Sequence, residues 1–140
     1  MWFKINKTIL IQLLYLSLTG ITSLQKIIPL EIPEWFINKF QATLIGKFPY
    51  GLAISFLIIT ILESSISLLI LISIIKKEFK TINEIRFFNM ALDLSLILFL
   101  VLFFGSFLAN DYENGALDFI YFIGTYFISQ KLNSKKVNIN

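Results

Sequence analysis

The sequence predicts an all-α membrane protein: a bundle of four transmembrane helices with a short amphipathic segment between the first two. Three observations predict it. Of 140 residues, 56% are hydrophobic and only 15% are charged, against roughly a quarter charged in an average soluble domain. The apolar residues come in long blocks. The lysines gather at the ends of those blocks. The length fits a single membrane domain over residues 1–140.

The first block, residues 8–24, follows the basic start "MWFKINK". It could be read as a signal peptide, but "LTGITSLQK" has no small-residue cleavage site and the apolar run exceeds a usual signal core, so retention as a helix is expected. The second, residues 51–75, is the clearest span, and residues 87–109 form the third. The fourth, residues 115–130, reaches only about 24 Å at 1.5 Å per residue, so it needs its flanks or a thin bilayer.

Charge favours four spans over three. With four, Lys4, Lys7, Lys76, Lys77, Lys80, Arg86, Lys131, Lys135 and Lys136 share one side, and Lys26, Lys39 and Lys47 the other. That bias predicts both termini in the cytoplasm, in a bacterial plasma membrane. With three spans the split would be even.

Between the first two spans, Pro29 and Pro33 interrupt the chain. Trp35, Phe36, Phe40 and Leu44 then recur at helical spacing, which predicts an amphipathic helix within residues 33–47, lying in the outer interface and anchored by Trp35. The tail "NSKKVNIN" is expected to fray.

The chain has no cysteine and no histidine. That excludes disulfides, redox thiols, Cys/His zinc sites, histidine-ligated haem and an imidazole base. No nucleotide-binding or hydrolase motif is present. No cofactor and no metal is expected, and no self-sufficient enzyme. The partners expected are the bilayer and either a protein partner or further copies of this chain. The net charge of +3 does not point to nucleic acid.

The polar residues inside the spans are the candidate site. Glu63 is the midpoint of the second span. A charge at such depth costs about 2.5–3.5 kcal/mol, while each Leu, Ile or Phe returns about 0.3–0.6. The sixteen Leu, Ile and Phe residues of that span can carry it. Thr60 and Ser67 lie on the same helical face as Glu63, and Ser64 extends the stripe. The carboxylate should therefore face the bundle interior, either as a proton or ligand site or as protonated glue between helices.

Asp93, in the third span, shares a face with Asn89, and an Arg86–Asp93 contact near the interface is expected. Asp111, Glu113 and Asp118 form an acidic outer mouth, read either as a solvated turn at "ENG" or as a vestibule that attracts cations. Glu63, Asp93 and Asp118 sit at different depths and could relay protons if their faces converge.

The order of helix, amphipathic segment, helix with a central glutamate, basic loop and two further helices resembles the DoxX-like family of small four-helix membrane proteins. "WFINKFQATLIGKFPYG", "ILESSISLLIL" and "FGSFLANDYENGALDFIYF" carry the resemblance, which covers residues 31–130. Gly20 and Lys26 are further apart than the family's Gly-x-x-Lys, and Ser65 and Ile66 stand where it has paired glycines. By position, only Glu63 matches a family feature, the helix-two glutamate. The resemblance implies an accessory or scaffold subunit serving a partner, redox-linked in some relatives, around a quinone or lipid. A small proton-coupled transporter using Glu63 and a purely structural bundle are the competing readings.

Overall fold

Local chemistry sets where each helix begins and ends. The computed structural model describes residues 6–29, 31–80 and 85–137, with side chains as far as 134. Helix α1 spans Lys7–Ile27, and the Asn6 side chain caps it by accepting the Thr8 N–H at 3.0 Å. Its other end falls just before Pro29, which cannot continue a helix. Helix α4 spans Gly51–Ile75. Only glycine fits at position 51, because a Cβ there would stand 2.0 Å from the Ile45 carbonyl oxygen. Helices α5 (Phe87–Leu108) and α6 (Tyr112–Val137) complete the bundle.

The segment expected as one amphipathic helix is two short ones, α2 (Glu34–Phe40) and α3 (Leu44–Lys47). Thr43 makes the break. Its backbone is extended (φ −83°, ψ 175°) and its hydroxyl donates to the Phe40 carbonyl at 2.7 Å, a local bond that competes with helix continuation. Phe36 and Phe40 are buried, whereas Trp35 and Leu44 are exposed.

Helix α6 is longer than the expected fourth span. At 1.5 Å per residue it measures about 39 Å. The stretch expected to fray stays helical to Val137; Lys4 and residues 138–140 lie outside the described residues, as do the side chains of Lys135 and Lys136. Three helices, α1, α4 and α5, are long and apolar enough to cross a bilayer. Helix α6 is long enough but more polar.

The helices pack in chain order, α1 on α4, α4 on α5 and α5 on α6. Helix α1 is inverted relative to a soluble helix. It buries Gln12, Tyr15, Thr19 and Ser23 and exposes Leu13, Leu14, Leu18, Ile21 and Leu24. In water such a helix would hide the wrong face. In lipid the apolar face rests against acyl chains, and the polar face finds its hydrogen bonds within the protein.

One end of the bundle is closed by Glu78, in the 3-10 turn Glu78–Lys80. Its Oε1 accepts the N–H groups of Arg86 and Phe87 at 3.2 and 3.0 Å, and its Oε2 accepts the Phe88 N–H at 3.1 Å and the Ser73 hydroxyl at 2.6 Å. Glu78 thus caps the start of α5 from across a loop and meets the positive end of its dipole. Ser73 in turn accepts from Gln12 Nε2 at 2.8 Å, and Asn6 Nδ2 donates to the Phe79 carbonyl at 2.5 Å, so α1 is bound into the same knot. Burial pushes the Glu78 carboxyl up, but the Ser73 hydroxyl and the three backbone N–H groups outweigh it and hold it below the ordinary glutamate value.

Glu78→Ala should therefore lower stability by about 3 kcal/mol, since it leaves several shielded donors without an acceptor. The native contribution should be fully present above the unfolded carboxyl value of about 4.3 and be lost as pH falls through the lower folded value. Thermal unfolding in detergent between neutral and acid pH checks both, and Glu78→Gln should show a shallower acid limb than the unmutated chain.

Candidate functional site

Helices α1 and α4 meet along a polar seam. At one end Gln12 bonds Ser73. Midway the Thr19 and Ser67 hydroxyls share a hydrogen bond of 2.9 Å. At the far end Lys26 Nζ meets Glu63 Oε1 at 2.6 Å. Tyr15 and Thr125 join hydroxyl to hydroxyl and bring α6 to the same seam. Each α1 residue in this series lies a further two turns along, on one face.

Glu63 is therefore held by a lysine and not by the hydroxyls expected of it. The Thr60 hydroxyl turns back to the Phe56 carbonyl at 2.8 Å, Ser64 to Thr60 at 2.7 Å and Ser67 to the Glu63 backbone carbonyl at 2.9 Å. Such i−4 bonds are what Ser and Thr make readily within a helix. Glu63 is 5% exposed. Its Oε2 is buried with no hydrogen-bond partner among the described residues, as is Gln12 Oε1.

The register of the seam has a consequence above Glu63. By the Thr19–Ser67 register the last residue of α1, Ile27, comes level with about residue 59 of α4, so α4 from Gly51 onward extends roughly 12 Å past it at 1.5 Å per residue. Helix α2 crosses into that gap. Phe36 packs edge-on against Phe56 with ring centroids 5.2 Å apart, and against Phe40 at 4.7 Å. Phe40 lies against the backbone of α5 at Gly105, where a Cβ would stand 3.5 Å from the ring.

The filling is incomplete. A cavity of about 840 Å³ remains between α2, α4, α5 and the start of α6. Its walls are apolar, with Trp35, Phe36, Phe40, Phe56 and Phe104 among them, and its polar groups include Lys26, Lys39, Asp111 and Asp118. Ile58, Leu100, Phe104 and Leu108 line it and are also exposed on the outside of the bundle. The cavity thus opens sideways between α4 and α5, toward the surface that α4 and α5 would turn to lipid.

The acidic mouth is partly neutralised. Lys39 Nζ meets Asp111 Oδ2 at 2.5 Å, and Asn114 donates to the same carboxylate through its side chain at 2.6 Å and its backbone N–H at 3.3 Å. The hydrogen bond from Lys39, then those from Asn114, bring the Asp111 carboxyl down to about 2. Asp118 Oδ2 accepts the Ser106 hydroxyl at 3.0 Å. Glu113 is exposed in the first turn of α6.

Asp93 departs from expectation. It is exposed on α5 and forms no ion pair with Arg86. Arg86 is itself exposed, and its backbone N–H serves Glu78. Asn89 shares a long bond of 3.4 Å with Asn133 on α6, and its Oδ1 is buried without a partner among the described residues. The faces of Glu63, Asp93 and Asp118 therefore do not converge. The structure brings Lys26, Lys39, Asp111 and Asp118 to one cavity, with Glu63 behind Lys26, and leaves Asp93 and Asn89 outside it.

In class, this is a helical protein whose three long apolar helices suit a lipid bilayer. Comparison of the chain with family models, with curated proteins and with solved structures gave no match.

Lys26→Met should destabilise the fold by about 3–5 kcal/mol, because it strands the Glu63 carboxylate in a dry interface, whereas Lys26→Met combined with Glu63→Leu should recover most of the loss. Unfolding by denaturing detergent, followed by circular dichroism, checks this. A double variant as unstable as Lys26→Met would show that the stranded charge is not the cause.

Proposed function

We propose that this chain is a DoxX-like integral membrane protein that holds an amphipathic molecule in the cavity beside Lys26 and serves a partner protein as an accessory subunit. The cavity carries this reading. It has the size of a small-molecule site, apolar walls with a few polar groups among them, and a sideways opening. In this reading α6 is the fourth span, α2 and α3 lie in the outer interface with Trp35 as anchor, and both termini face the cytoplasm of a bacterial cell. The lysine distribution supports that orientation.

A second reading, a small proton-coupled transporter, draws on one observation. Glu63 Oε2 is buried with no hydrogen bond among the described residues, so a proton taken up there would have a place to stay. Lys26 weighs against it, because a substrate would first have to displace a close charged partner.

The protein is extracted with its surrounding lipid into nanodiscs, and the small molecules that remain bound are identified by mass spectrometry. The unmutated chain should retain an amphiphile that Val101→Trp, which fills the cavity, excludes. Equal retention by both would overturn the cavity as the site. For the second reading, proton-linked flux is measured in proteoliposomes. Flux lost in a well-folded Glu63→Gln variant would support transport; no flux from the unmutated chain would sink it.

A further inference from the structure

The charges around the cavity do not balance, and the imbalance points to the ligand. Lys26 is taken by Glu63 and Lys39 by Asp111. Asp118 forms no ion pair among the described residues, and the lysine that acts on it, Lys39, is taken by Asp111. One of its oxygens accepts the Ser106 hydroxyl and the other accepts no hydrogen bond among the described residues. The cavity lining itself holds two lysines and two aspartates, and because Glu63 behind it already occupies Lys26, one negative charge is left in excess. Behind Lys26, Glu63 Oε2 is buried and forms no hydrogen bond among the described residues, the neighbouring Thr22 hydroxyl being given to carbonyls of its own helix. The site therefore lacks hydrogen-bond donors and positive charge, not acceptors.

We infer that the cavity binds a hydrophobic amine: an amphiphile whose protonated nitrogen sits against Asp118 and whose apolar chain lies among Phe36, Phe56 and Phe104. This rests on the cavity being a ligand site, as proposed above. A carboxylate facing an ammonium in a poorly hydrated site makes a short, charge-assisted hydrogen bond. The aromatic faces of the wall add attraction for a cation, which they would not offer an anion. Entry between α4 and α5 would let the chain arrive from lipid while its nitrogen stays at Asp118. An anionic headgroup would have to draw both lysines away from carboxylates that already hold them, and would meet Asp118 as a like charge.

The test uses the full chain in nanodiscs, with empty nanodiscs as the partition control, and three probes sharing one twelve-carbon chain: dodecylamine, dodecanol and dodecyl phosphate. Calorimetric titration should show saturable binding of dodecylamine at least tenfold tighter than of the other two. Asp118→Asn, which keeps the shape and can still bond Ser106, should weaken the amine at least tenfold and leave dodecanol unchanged. Lys39→Gln removes the nearest competing cation and should leave amine binding unchanged or tighten it; should Asp118→Asn fail to fold, this variant and the probe series decide alone. Dodecyl phosphate or dodecanol binding as tightly as the amine, or amine binding that needs Lys39, would overturn the inference while leaving the cavity as a site. Binding of none of the three would instead remove the cavity reading beneath it.

Discussion

The contact on which the rest of this structure depends is the ion pair between Lys26 and Glu63, because it fixes how far α1 runs along α4. Removing two charges from water costs several kcal/mol each, and only close, well-formed contact offsets it. The 2.6 Å pair meets that condition at one end of the seam, and the Thr19–Ser67 and Gln12–Ser73 bonds hold the same register below it. With that register set, α1 must end far short of α4. The gap draws in α2, and the part that α2 does not fill is the cavity. The candidate site is thus a product of helix register and not of a separate binding element.

The two ends of the bundle are built differently. At the Glu78 end both oxygens of the carboxylate are engaged, three backbone donors are capped, and Asn6 and Gln12 tie in α1. At the Lys26 end two buried aromatic rings and a half-buried ion pair at the rim hold α2 in place, and pairs near the surface contribute about 0–1 kcal/mol. One end is tightly specified and the other is loosely covered. Binding sites tend to occupy elements of low local stability supported by a rigid frame, and this molecule has that division.

Much of the architecture was legible in the sequence. The bounds of α4 and α5 follow from uninterrupted apolar runs, and Pro29 marks the end of α1. Glu63 was legible as a buried polar residue because its depth makes any other placement costly. Its partner was not, because Lys26 also counts as a charge at the end of a span, and only the length of a lysine side chain lets it serve deeper. Glu78 was hidden among Lys76, Lys77 and Lys80, and capping α5 from another loop has no local signature. Asp93 misled for a related reason: a charge in an apolar helix implies an inward face only if the helix is packed on that side, and α5 is packed against α4 and α6 on others.

A chain of this composition has reason to use an ion pair where hydroxyls would seem enough. Helices rich in Leu and Ile fit one another in several registers of similar energy, and in lipid no hydrophobic driving force between helices selects among them. Hydroxyl contacts discriminate weakly, since a Ser or Thr that loses its partner can return to its own i−4 carbonyl, as Thr60 and Ser64 do here. Lysine and glutamate have no such retreat. Sliding α1 by one turn, about 5.4 Å, would leave the Glu63 carboxylate unpaired at the middle of α4, where a charge costs about 2.5–3.5 kcal/mol. The pair therefore acts mainly against the wrong registers, and the cavity, whose existence requires α1 to stop short of the start of α4, depends on that selection.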